Sequence, residues 1–179
     1  HNVISRVVRG NGSTGTSVVL ITPDAERTMN THLGMCREFN EKDIDEELLK
    51  NSSFLYFTGY MWDTESQKKA IQKAVKIAKS SNIKICFDVA DPFAVERNRE
   101  SFLEFIRNNV DIVFANQPEL SILFEDNTSL EQLRSFLQTK KILFISNIYW
   151  EDYGLEVERL KLIDSLLKEH TLKNCLTCD

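Results

Sequence analysis

Short apolar runs alternating with amphipathic helical patterns predict an α/β domain of three layers, its parallel sheet joined by right-handed crossovers. Three observations carry this reading. Residues 54–58, 83–89, 111–115 and 141–145 are apolar runs of strand length, the stretches between them have helical periodicity, and six glycines and three prolines in 179 residues leave little room for loops.

Taken in order, Ser17 to Thr22 reads as the first strand and Phe54 to Thr58 as the next. Thr64 to Ser80 reads as a long helix, because Ala70, Ile71, Ala74, Val75 and Ala78 recur at the spacing that puts them on one face. Ile83 to Val89 alternates Ile, Ile, Phe and Val with Lys, Cys and Asp, as a half-buried strand does. A helix over Arg97 to Asn109, a strand over Asp111 to Ala115, helices over Pro118 to Phe124 and Ser129 to Gln138, and a strand over Lys141 to Ile145 follow. After Gly154, Leu155, Val157, Leu160, Leu162, Ile163, Leu166 and Leu167 fit one amphipathic helix reaching Lys168. One domain over residues 1–179 is the expectation, since 42% hydrophobic residues suffice for a core and no linker interrupts the chain.

Composition narrows the function. A formal charge of −5, with no clustering of Lys and Arg, argues against a nucleic-acid surface. No apolar run approaches the roughly 20 residues of a membrane helix and no signal segment opens the chain, so a cytoplasmic protein is expected. Cys36, Cys86, Cys175 and Cys178 are too few and scattered for a disulfide framework. The Cys175–Cys178 pair has metal-binding spacing without a second pair. His1, His32 and His170 have no partner at ligand spacing.

The chemistry-bearing signal is Asn116-Gln117-Pro118-Glu119, directly after the apolar run that ends at Ala115. Ligands of open parallel sheets bind just past the carboxyl ends of strands. An Asn followed three residues later by a Glu admits two readings there. One is a helix cap, with Asn116 as N-cap and Glu119 closing a capping box. The other is a carboxylate that holds Mg²⁺ through water, an ion that gives up its waters reluctantly. Asp88 and Asp91, at the end of the preceding strand, read as loop-shaping or supporting groups.

Four segments, together with that block, resemble the ribokinase or PfkB family of sugar and nucleoside kinases, and within it the adenosine-kinase-like branch. They are Gly12-Ser13-Thr14-Gly15-Thr16 running into 17–22, Asp24-Ala25-Glu26-Arg27-Thr28-Met29-Asn30-Thr31-His32-Leu33-Gly34, Phe57-Thr58-Gly59-Tyr60, and Phe87-Asp88-Val89-Ala90-Asp91-Pro92-Phe93. The likeness extends over residues 12–146, leaving 147–179 as an unassigned helical tail. It implies a Rossmann-like, ribokinase-like fold, incomplete at both ends, and an ATP-dependent kinase that phosphorylates a hydroxymethyl group of a sugar or nucleoside with Mg²⁺. Asn116 and Glu119 then serve the metal and nucleotide, Arg27 the transferring phosphate, and Met29, Asn30, Leu33 and Tyr60 the acceptor. The implied partners are a small-molecule sugar or nucleoside and, through a β-strand lid over part of 22–33, a second copy of the chain.

The family's G-A-G-D segment, which supplies the catalytic base, does not occur in these 179 residues. The expectation is therefore a kinase fragment, whether excised, truncated or frame-shifted, that is inactive alone. The alternative is a non-catalytic remnant that binds a ligand or partner, or only folds.

Overall fold

The computed structural model describes residues 4–124 and 143–145. The helices expected at 129–138 and 155–168 lie outside the described residues, as do His1, His170, Cys175 and Cys178. The chain divides into two compact units, one up to Lys84 and one from Ile85 onward.

The first unit opens with an antiparallel ribbon. Strand β1, Thr16–Ile21, pairs with β2, Arg27–His32, in a register running from Thr16 opposite His32 to Ile21 opposite Arg27. The first expected strand is thus present. Its partner is a strand of Arg, Thr, Met, Asn, Thr and His that carries no alternation to announce it. The turn between them closes with Thr22 N–H to Glu26 O at 3.0 Å and Ala25 N–H to Thr22 O at 2.9 Å. The Asp24 carboxylate accepts from the Thr22 hydroxyl and from Glu26 N–H. Ala25 sits at φ 67°, a conformation that suits glycine better. Every residue of both strands is exposed.

Turns of 3₁₀ helix at Gly34–Glu38 and Glu41–Asp43 lead to α1, Glu46–Lys50. Asp45 caps α1 by accepting from Leu48 N–H at 3.0 Å. Strand β3, Phe54–Thr58, runs into a 3₁₀ turn, Gly59–Trp62, and then α2, Glu65–Ser80. Thr64 caps α2, and Ala70, Ile71, Ala74, Val75 and Ala78 form its buried face, as the periodicity requires. Asn82 ends the helix at φ 56°, where Ile83 N–H reaches back to Ala78 O at 2.9 Å.

The second unit is a βαβ arrangement. Strand β4, Lys84–Asp88, lies parallel to β5, Ile112–Phe114, which lies parallel to β6, Leu143–Ile145. Parallel neighbours need a crossover, and α3, Pro92–Asn109, supplies it between β4 and β5. This helix starts five residues before the expected Arg97, because the Asp91 carboxylate accepts from Ala94 N–H at 2.7 Å and Pro92 is already set for a first turn. Asn98, at φ −124° and ψ 15°, interrupts it. Helix α4, Gln117–Phe124, follows β5 and packs against α3.

The core of this unit comprises Ile85, Phe87, Val89, Val95, Phe102, Ile106, Val113 and Leu123, all fully buried. Phe87 meets Phe102 edge-on at 5.1 Å between ring centres and Phe105 at 5.6 Å. Asp111 extends the β4–β5 ladder, giving Ile85 N–H a carboxylate oxygen at 2.9 Å while its own N–H reaches Ile85 O at 2.9 Å.

Candidate functional site

The β4–β5 register places Asp88 opposite Phe114, so the loops that leave the two strands start side by side. Val89 N–H donates to Phe114 O at 3.1 Å and holds them there. Asp88 bends its own loop by accepting from Ala90 N–H at 2.9 Å, which keeps Ala90 at φ 83°. Asp88 and Asp91 thus shape the loop, as the sequence suggests.

On the neighbouring strand end, Asn116 and Glu119 bind each other completely. Asn116 Oδ1 accepts from Glu119 N–H at 2.9 Å, and Glu119 Oε2 accepts from Asn116 N–H at 2.7 Å. Asn116 Nδ2 donates to Glu119 Oε1 at 2.8 Å. This is the capping box that the spacing allows, with one additional bond.

The box also carries an electrostatic signature that a surface cap lacks. Glu119 is only 5% exposed. Burial is the largest influence on its carboxyl group and raises its pKa above the usual range; the bond from Asn116 N–H opposes this, while the charges of Asp88 and Asp91 raise it further. A buried carboxylate beside two like charges is a place where a cation would be welcome. Each of its oxygens accepts one hydrogen bond within the box, which leaves lone pairs for water. Among the described residues no group of three or more His, Cys, Asp or Glu is arranged to cage a metal. The arrangement suits an ion held through its own waters rather than one stripped of them.

In the first unit a separate depression of about 620 Å³ lies where the end of the ribbon meets the start of α2. Leu33, Gly34 and Met35 line it together with Arg37, Thr64 and Ser66. Its rim is tied together by hydrogen bonds. Gln67 Nε2 donates to Cys36 O at 2.9 Å, Ser66 Oγ donates to Arg37 O at 3.2 Å, and Met35 N–H donates to Ser13 O at 2.9 Å. The Met35 side chain fills the space in which any Cβ at Gly10 or Gly12 would stand.

A family model described as pfkB family carbohydrate kinase matches residues 1–147, most of the chain. The chain belongs to the PfkB family. A solved structure of adenosine kinase from Sinorhizobium meliloti is 35% identical, with a TM-score of 0.67 over 74% of this chain and 41% of that one. A probable sugar kinase from Rhizobium etli CFN 42 is 30% identical, with a TM-score of 0.71 over 80% of this chain and 44% of that one. The guanosine-inosine kinase of Escherichia coli strain K12 is 24% identical over 123 residues, which are 67% of this chain and 28% of the relative. The chain spans less than half the length of these relatives, and its fold is the mixed α/β, ribokinase-like one that the sequence predicts.

Within this PfkB chain the expected site residues fall into separate groups. Asn116 and Glu119 are joined in the second unit. Arg27 begins β2, exposed, with no ion-pair partner among the described residues; the Asp24 carboxylate nearby in sequence is engaged by the Thr22 hydroxyl and Glu26 N–H. Met29, 56% exposed, and Asn30 are consecutive strand residues and so point to opposite faces of the ribbon. Tyr60 stands on the 3₁₀ turn after β3, 46% exposed. Of the acceptor residues picked from the sequence, Leu33 is among those lining the depression. Arg37, Thr64 and Ser66 carry no motif and are brought there by the Gln67 and Ser66 bonds. No helix among the described residues is long and apolar enough to cross a membrane.

Proposed function

We propose that this chain is part of an ATP-dependent kinase that phosphorylates a hydroxymethyl group of a nucleoside or sugar, and that it does not turn over alone. The observation that supports the reading most directly is the pairing of half-buried Asn116 with buried Glu119 at the carboxyl end of a parallel strand in a PfkB chain. In that role Glu119 holds the waters of Mg²⁺, and Asn116 fixes the carboxylate. Bound Mg²⁺ neutralises charge on the phosphates during transfer. Arg27 grips phosphate oxygens, a task for which a planar, permanently charged guanidinium is suited. Leu33 and its neighbours in the depression take the acceptor, with Tyr60, Met29 and Asn30 completing its surroundings.

The inactivity follows from the absent G-A-G-D segment. A positioned base contributes about 10²–10⁴-fold and an oxyanion-type donor about 10²–10³-fold. The acceptor is a nucleoside before a sugar, because the adenosine kinase neighbour and the guanosine-inosine kinase relative act on nucleosides by their names.

The partner set is completed by a second copy of the chain, docked through the exposed ribbon. Val18, Val19, Leu20 and Ile21 are between 45% and 68% exposed, an apolar surface that a self-complementary contact would cover. Light scattering is expected to give a dimer that Leu20→Lys dissociates; a monodisperse wild-type monomer would remove the claim.

The deciding test is thermal. Adenosine and ATP with Mg²⁺ are each added to the wild type and to Glu119→Gln. A ligand at about 100 times its dissociation constant adds roughly 2.7 kcal/mol of stability. ATP with Mg²⁺ is expected to raise the melting temperature of the wild type and not of the variant. Absence of any shift with either ligand would leave only the fold, and Glu119-dependent ADP formation would overturn the inactivity.

A further inference from the structure

Helix α4 has eight residues, and a helix that short does not hold its shape in water by itself. Its last four carbonyls have no partner inside it. The amino end is fastened by the Asn116–Glu119 box. The carboxyl end is fastened from outside, where Arg99 Nε of α3 donates to Ile122 O at 3.1 Å. A guanidinium at that carbonyl acts both as a donor and as a cation at the negative end of the helix dipole. Its side chain is 26% exposed, so the bond is shielded from solvent on most sides.

Arg99 is aimed by the break just before it. Asn98 leaves helical geometry, and its Nδ2 donates to Ala94 O at 3.0 Å, the carbonyl that an uninterrupted helix pairs with residue 98's own N–H. The second half of α3 therefore starts in a new direction, with Arg99 as its first residue.

We propose that Arg99 is a positioning residue for Glu119, acting through α4; its functional meaning rests on the metal-binding reading given above, while its physical content does not. A short helix pinned at both ends has one tilt and one roll. The box at Asn116, with bonds of 2.7 to 2.9 Å, joins the end of β5 to the first turn of α4, and the setting of the helix fixes where that carboxylate stands beside Asp88 and Asp91. Releasing Ile122 O removes a directional hold from the carboxyl end, leaving the packing of α4 on α3 to set its orientation, and the carboxylate three residues from the cap is held less tightly.

The test is amide exchange and chemical shift by NMR on the full chain. Arg99→Met is expected to shift the Asn116 backbone amide, which donates to Glu119, and to speed its exchange about tenfold or more, with α2 amides unchanged. Arg99→Lys, which keeps the charge, is expected to fall between, and carries the test if Arg99→Met loses its dispersed spectrum. Glu100→Gln, which removes the 2.7 Å ion pair to Arg99, is expected to leave the Asn116 amide as in the wild type. An unchanged Asn116 amide in Arg99→Met would overturn the proposal. So would an equal loss of protection at every amide of the second unit, or an effect of Glu100→Gln as large as that of Arg99→Met. Adding Mg²⁺ to the wild type separates the two claims, since silence at Asn116 and Glu119 would count against the metal and leave the tether standing.

Discussion

The β1–β2 ribbon and the β4–β5–β6 sheet are both rich in aliphatic residues, yet every residue of the ribbon strands is exposed while Ile85, Cys86, Phe87 and Val113 are buried. The difference lies in what each strand type requires. An antiparallel pair is closed by a local turn and needs no covering element to connect its strands, whereas parallel strands need crossovers that bring helices onto them. Apolar content therefore says that a segment is a strand, and the connection says whether it is core.

The sharpest way to break this comparison is to place the same charge in both regions. Val113→Asp puts a carboxylate at a fully buried position and is expected to cost more than about 3 kcal/mol, enough to abolish cooperative unfolding of the second unit in urea. Val18→Asp, at a position 63% exposed in the single chain, is expected to change stability by less than about 0.5 kcal/mol at a concentration low enough to dissociate the proposed dimer. Equal effects under that condition would mean that the ribbon is covered within the single chain.

Thiol chemistry gives a second contrast of intermediate size. Burial first, and the Asp111 charge second, push the Cys86 thiol up to about 11 from 9.0. A pKa higher in the fold than in the unfolded chain contributes stability that is complete below pH 9.0 and is lost as pH rises through about 11. Mapped alkylation at pH 8 is expected to modify the exposed Cys36 at least about tenfold faster than Cys86. Comparable rates would show that β4 opens readily.

The smallest effects come from two alanines in left-handed backbone, Ala25 at φ 67° in the ribbon turn and Ala90 at φ 83° beside the strand-end site. Ala90→Gly is expected to raise the stability of the second unit by about 0.5–1 kcal/mol, and Ala25→Gly to slow exchange of ribbon amides without moving the main unfolding transition. A global gain from Ala25→Gly would show that the ribbon unfolds with the rest.

These contrasts also explain what was legible in the sequence. The α2 face was readable because its burial is periodic, and the Asn116–Glu119 box because capping is a four-residue rule. Strand β2 was legible through the family resemblance, which places a lid strand within 22–33, and not through local pattern, since Met29 is its one large apolar residue and its turn places Ala25 where a glycine would have signalled the hairpin. The start of α3 was obscured because Asn98 breaks the periodicity that Asp91 and Pro92 begin. The depression joins residues 12–13, 31–38 and 64–66 through a backbone bond from Met35 N–H to Ser13 O and side-chain bonds from Ser66 and Gln67 to carbonyls, and no local pattern encodes such bonds.

Met35 against Gly10 and Gly12 bears on how this chain can change over time. A Cβ at Gly10 or Gly12 overlaps the Met35 side chain, so any larger residue at either position requires that flexible thioether to swing aside. Once position 35 is shortened, that obstruction is gone and both become open to substitution. The three sites are therefore coupled, and a change at 35 eases later changes at 10 and 12.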